Sequence, residues 1–179
     1  MRWIWIDGFT EFESGRRAVA VKSVSLAEEH LHDHFPGVPI HPPSLVIEGM
    51  AQTAGILVGE ARGFSEKVIL AKIKRAEFSD YAGPGDQLFF EATIEAIGDA
   101  AADTVGVVRR RRAAGGGDGE AGGLSELARI DLMFSHIDQN MSGLKFPEHN
   151  FVFTEQFKQL LAGIPGVRRP VDGGSGAEG

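Results

Sequence analysis

Two side chains of this 179-residue chain are of the right type for acid–base chemistry: His34 and, 14 residues later, Glu48. An imidazole changes charge near neutral pH and can accept a proton. A carboxyl group shielded from water favours its protonated form and can donate one. Glu48 is the one charged residue in the run Ser44–Gly59, which is otherwise apolar, small or neutral. Each residue also has a plainer reading. A lone histidine is often structural, and a buried glutamate can simply be paired with a backbone donor. Their joint placement around one stiff loop favours chemistry.

That loop is His34-Phe35-Pro36-Gly37-Val38-Pro39-Ile40-His41-Pro42-Pro43, with four prolines in eight residues. Proline fixes φ and has no N–H, so the segment can be neither regular helix nor central strand. Pro42-Pro43 reads as a helix entrance, the one place where a helix accepts proline. From Ser44 to Gly59 apolar residues cover almost every helical direction, the pattern of a buried helix. It would be about 24 Å long, and with Glu48 and Gln52 in it, it is not a membrane span. Gly49, Ala51, Ala54 and Gly55 would allow close approach by a neighbour. The expectation is a central helix wrapped by a sheet.

The segment resembles the active-site region of the β-hydroxyacyl-(acyl carrier protein) dehydratases of fatty-acid synthesis, the FabZ/FabA type. The resemblance rests on HFPG at 34–37, Pro39, Ile40-His41, Pro42, Leu45 and EGMAQ at 48–52. Downstream, YAGPGDQLFFEATIE at 81–95 resembles the family's Pro-Gly-Asp-Gln-Leu segment. The likeness runs from about Trp3 to Ile137. It implies an α+β hotdog fold, an antiparallel sheet wrapped around the central helix, with no cofactor. It implies His34 as base and Glu48 as the acid that helps the hydroxyl leave. Phe35, Pro43, Ser44, Leu45 and Gln52 would line the substrate. It further implies an acyl carrier protein bearing a phosphopantetheine-linked acyl chain as partner, and a site completed in a homodimer, often within a hexamer. The chain departs from the pattern at three places. Pro43 stands where the family has a glycine whose N–H faces the thioester oxygen, leaving Ser44 to supply a donor. His41 replaces an apolar residue, and Asp33 replaces the glycine before the histidine.

Composition sets the frame. At 42% hydrophobic and 24% charged, one globular domain is expected. There is no cysteine, which excludes disulfides and thiolate chemistry. The net charge of −7 argues against a general nucleic-acid binder. No apolar leader with a cleavage site is recognisable near Met1, so the cytoplasm is the expected location. Glu28, Glu29, His30, His32 and Asp33 crowd the approach to the loop, but their spacing matches no standard zinc pattern, and no metal is expected.

Along the chain, Trp3–Ile6 reads as a short strand or turn start, and a hairpin joins Phe9–Glu13 to a strand over Arg17–Val24. Further strands are expected over Val68–Phe78, Gln87–Ile97, Asp103–Arg112 and Leu127–Ile137. Residues 113–123 form a Gly-rich flexible loop. Arg109, Arg110, Arg111 and Arg112 form a basic run. It is either a solvated strand end or a docking surface for an acidic carrier or its phosphate. The hotdog domain is placed at 1–139, an extension with a short helix over Thr154–Ala162 at 140–163, and a disordered tail at 164–179. Phe157, Leu160 and Leu161 would face the body. Three functions compete: dehydratase, hotdog thioesterase with Glu48 as base, and a non-catalytic acyl-thioester-binding subunit.

Overall fold

The computed structural model describes residues 4–112, 123–137 and 152–154, with positions 159 and 163. Two helices and six strands are present among them: β1 (Gly8–Glu13), β2 (Arg17–Ser23), α1 (His30–Asp33), α2 (Pro43–Ala61), β3 (Lys67–Phe78), β4 (Gln87–Ile97), β5 (Ala101–Arg111) and β6 (Leu124–Ile137). The Gly-rich loop, the connecting segment, most of the expected C-terminal helix and the tail lie outside the described residues.

The strands form one sheet in the order β1-β2-β4-β5-β6-β3, and every neighbouring pair is antiparallel. Period-two alternation selects its inner face. In β5, Ala102, Thr104, Val108 and Arg110 point inward; in β6, Ala128, Ile130, Leu132 and Phe134 do. Register shifts break the ladder at Leu70/Lys72, Ile73/Arg75, Ile94/Ala96 and Val108/Arg109. Bulges of this kind bend a strand and increase its twist, which lets the sheet curl around α2.

Helix α2 starts where the prolines require. Pro42 is its N-cap and Pro43 its first residue, while Gly63, with φ of 62°, follows its C-terminal end. The helix is not buried all round. Val46, Met50, Ala54, Leu57 and Val58 are in the core, but Ser44 is exposed, and Leu45, Glu48, Ala51 and Gly55 are half-buried. Those four follow the spacing of one helix face, so α2 keeps a polar-tipped stripe open. What approaches the small residues is aromatic rather than backbone: Phe90 lies over Gly49 and Phe134 over Gly55.

The N-terminal expectation needs correcting. Residues 4–7 are not a strand. Trp5 N–H donates to the Gln52 side chain at 2.6 Å, and Asp7 N–H to Val21 O at 2.7 Å. With these donors satisfied there, regular pairing starts only at Gly8. No helix among the described residues is long and apolar enough to cross a membrane.

Candidate active site

The loop that holds His34 is cross-tied to itself. Phe35 N–H donates to Val38 O at 3.0 Å, Val38 N–H to Phe35 O at 2.9 Å, and Ile40 N–H to His34 O at 2.8 Å. The same turn orients the imidazole: His34 Nδ1 lies 2.8 Å from Ile40 O. A carbonyl only accepts, so Nδ1 carries the proton and Nε2 keeps its lone pair. Phe35 stacks on the imidazole at 4.1 Å between centroids, and its ring is otherwise exposed.

Glu48 is held by a relay. Gln52, one helical turn on, donates through Nε2 to Glu48 Oε1 at 2.7 Å, and its Oε1 accepts the Trp5 amide. An amide side chain can do both at once, so the N-terminal segment fixes the carboxyl through Gln52. The sequence suggested Gln52 but not Trp5, whose contribution is a backbone N–H and therefore leaves no trace in residue type.

Beside Glu48 and Gln52 opens a cavity of ≈ 140 Å³ that runs along the half-open face of α2. Ala51, Gly55 and Ile56 floor it, Val68, Leu70 and Phe134 wall it, and Val152 and Phe153 complete its lining. Phe153 is buried, packs edge-to-face on Phe64 at 5.0 Å, and sits over Gly59. The cavity is therefore polar beside Glu48 and apolar toward the C-terminal end of α2. Sequence reasoning assigned no function to residues 152–153. The other candidates, His34, Phe35, Pro43, Ser44 and Leu45, do not line this cavity. At the entrance of α2 Pro43 has no N–H, and the Leu45 and Val46 amides turn back to Pro42 O at 2.9 and 3.2 Å. Ser44 carries the first amide of the helix.

The basic run divides by strand parity. Arg110 faces inward and is 5% exposed; Asp80 Oδ2 accepts from its Nη2 at 2.6 Å, and Tyr81 O accepts from Nη1. The same guanidinium, with the Tyr81 amide, holds the Asp80 carboxyl below its usual range. Arg110 is thus bonded within the fold, and unlike its neighbours in the run it is not a surface cation. Arg109 pairs with Glu91 at 3.1 Å, Arg111 lies over Phe89, and Arg112 reaches Asp80 at 3.0 Å. These three remain partly open to solvent. A groove of ≈ 590 Å³ lies between Val38–Ile40 of the His34 loop and Tyr81–Pro84, with Arg110 and Arg112 also lining it.

The antiparallel sheet curled around a central helix, entered by the proline-rich His34 loop, is the fold of a hotdog protein of the dehydratase type. A family model described as the FabA-like domain matches residues 4–117. The chain is 34% identical over 133 residues to the 3-hydroxyacyl-[acyl-carrier-protein] dehydratase FabZ of Thermoanaerobacter sp. (strain X514), covering 74% of this chain and 85% of that one. It is 41% identical over 96 residues to the enzyme of the same name from Thiobacillus denitrificans, covering 51% of this chain and 66% of that one, about two thirds of the relative's length. The chain belongs to the FabA-like family and, like these relatives, is a hydro-lyase of the dehydratase type. Solved structures agree on the fold. The smu.793 protein of Streptococcus mutans, bound to acetyl CoA, aligns with a TM-score of 0.57 at 12% identity, over 76% of this chain and 93% of that one. The conserved protein PA5202 of Pseudomonas aeruginosa aligns at 0.54 and 14% identity, over 73% and 87%.

Proposed function

We propose that this protein is a (3R)-hydroxyacyl-[acyl carrier protein] dehydratase that converts a β-hydroxyacyl thioester to the trans-2-enoyl thioester and water. His34 Nε2 takes the α proton while Glu48 gives its proton to the β hydroxyl. The C–H and C–O bonds break, the double bond forms, and the hydroxyl leaves as water. The thioester oxygen, negative as the α proton leaves, is assigned to the Ser44 amide at the entrance of α2, where the helix dipole adds to the donor. The observation that carries this reading is the Ile40 carbonyl on His34 Nδ1, which leaves Nε2 as the free base. The acyl chain is assigned to the cavity beside Glu48, and the carrier's phosphopantetheine arm to the groove beside the loop.

We infer that two copies assemble through β3. Among the described residues this strand is an edge of the sheet, and Leu70 and Ile73 on it are 39% and 44% exposed beside Lys72, Lys74, Arg75 and Glu77. A twelve-residue edge leaves main-chain groups open to pairing with a second copy. Pairing two copies there supports a composite site, with the His34 loop of one copy at the Glu48 cavity of the other, in keeping with the absence of His34 from the lining of that cavity.

The test is hydration of a trans-2-enoyl thioester, followed by loss of its ultraviolet absorbance. Turnover is expected in the wild-type protein, and Glu48→Gln, which keeps the size and the Gln52 contact, lowers kcat by about 10²-fold or more. Release of free thiol instead would make the protein a thioesterase. Carrier binding without turnover would make it a non-catalytic subunit. For docking, Arg109→Glu and Arg112→Glu are expected to raise KM several-fold for the carrier-bound substrate and not for a short carrier-free thioester. Equal changes on both substrates would remove these arginines from the carrier surface.

A further inference from the structure

We propose that Glu28, His30 and His41 form a binding site for a divalent transition-metal ion of the zinc class, set beneath the catalytic loop and separate from the reacting groups. One donor atom from each of the three residues lies within 4.8 Å of the others. His41 is 1% exposed, and neither of its ring nitrogens has a hydrogen-bond partner among the described residues. His30 Nε2 is likewise buried and without a hydrogen bond. Native proteins rarely leave such atoms unmet, because each one costs about 1–3 kcal/mol. Two imidazoles meeting at one point with a carboxylate offer lone pairs to a common acceptor, and a metal ion is an acceptor of that kind.

The donor set selects the metal class. Two nitrogens and one oxygen suit Zn²⁺, Co²⁺, Ni²⁺ or Cu²⁺, whereas Mg²⁺ and Ca²⁺ prefer oxygen alone. Ligand bonds of about 2.0–2.2 Å require the donors to close in, which rotation of the half-buried Glu28 and His30 side chains supplies. Trp5 closes the site on one side, its ring 6.0 Å from that of His41 and 5.7 Å from that of His30.

One neighbour opposes the ion. Lys22 Nζ is 3.2 Å from Glu28 Oε2 and 4.6 Å from the Trp5 centroid. Glu28 Oε1 accepts the Ser25 amide at 2.9 Å and Lys22 Nζ at 3.3 Å, so the ion and Lys22 compete for the carboxylate. Affinity is therefore set against a fixed positive charge. The site would also reach the catalytic loop. His41 lies between Ile40, whose carbonyl orients His34, and Pro42, the N-cap of α2. An ion there would tie α1 and the segment before it to the end of the loop at His41, which bridges Ala82.

The experiment uses the full chain without a histidine tag, stripped with a chelator and titrated with Zn²⁺ or Co²⁺. Uptake is read by calorimetry and by tryptophan fluorescence, compared with a Trp3→Phe variant in which Trp5 is the one emitter. One ion per chain is expected, with quenching by Co²⁺ and a Zn²⁺-dependent rise in Tm. His41→Phe removes the unpaired nitrogens at similar volume, so it is expected to fold and to abolish binding. Glu28→Gln weakens binding by roughly tenfold or more, and Lys22→Gln tightens it. Absence of stoichiometric uptake at submillimolar metal overturns the proposal. So does uptake that a folded His41→Phe variant retains. Should that variant not fold, unchanged affinity in Lys22→Gln and Glu28→Gln overturns it equally.

Discussion

His34→Ala is expected to lower kcat for enoyl-thioester hydration by about 10³-fold or more while leaving the protein folded, because it removes the group proposed to move the α proton. The loop should survive the change. Its cross-ties are main-chain bonds: the Ile40 amide donates to the His34 carbonyl, and Phe35 and Val38 bond each other. Alanine keeps all of them. The side chain gives up one hydrogen bond to Ile40 O, worth about 1 kcal/mol, so Tm moves by only a few degrees. The measurement is the ultraviolet assay beside thermal melts of both proteins. Full turnover by the variant would remove His34 from the chemistry and return it to a structural role.

Gly49→Val is expected to destabilise the fold by about 3 kcal/mol, read from the urea midpoint. A Cβ at position 49 would stand 2.7 Å from Phe90 Cε1, and Phe90 is fully buried in the middle of the sheet with no room to retreat. Two effects oppose each other in the milder Gly49→Ala. Helix propensity favours alanine by about 1 kcal/mol. The steric conflict, at about 1–3 kcal/mol, outweighs it. Trimming the ring should restore part of the loss, so Gly49→Ala combined with Phe90→Leu is expected to be less destabilised than the two single changes sum to. Strict additivity would mean that the ring and the helix do not compete for this space. Gly49 follows Glu48 directly, so the close packing that this glycine permits also sets how far the carboxyl stands from the sheet.

Local signals in the chain proved readable where a physical constraint acts on neighbours in sequence. Pro42-Pro43 and the apolar run after them specify α2, and β4 occupies Gln87–Ile97 as its alternation predicts. Non-local relations were not readable. Nothing in residues 67–78 says that β3 joins the sheet beside β6, at the far edge from β1. Trp3–Ile6 has strand composition, but residues 4–6 are not a strand, and the Trp5 amide goes to a helix side chain instead. Arg110 could have been placed correctly: it has the same parity as Val108 and Thr104, which are buried, and so turns inward. His34 and Glu48 were legible from type and resemblance, but the cavity beside Glu48 was not. Two of its lining residues, Val152 and Phe153, come from more than a hundred positions away. The grouping of His41 with Glu28 and His30 was hidden for the same reason, since the folded loop, rather than spacing, brings it there.

Phe153 rests in the notch at Gly59, beyond the residues matched by the family model. The end wall of the cavity thus comes from a part of the chain far in sequence from His34 and Glu48. On the proposed assignment, His34 and Glu48 set which bonds break, whereas the depth available to an acyl chain depends on Phe153. A larger or smaller side chain at 153 resets that depth, as moving the stop in a drawer changes what fits inside it. On that assignment, chain length is set by a residue that takes no part in the proposed chemistry.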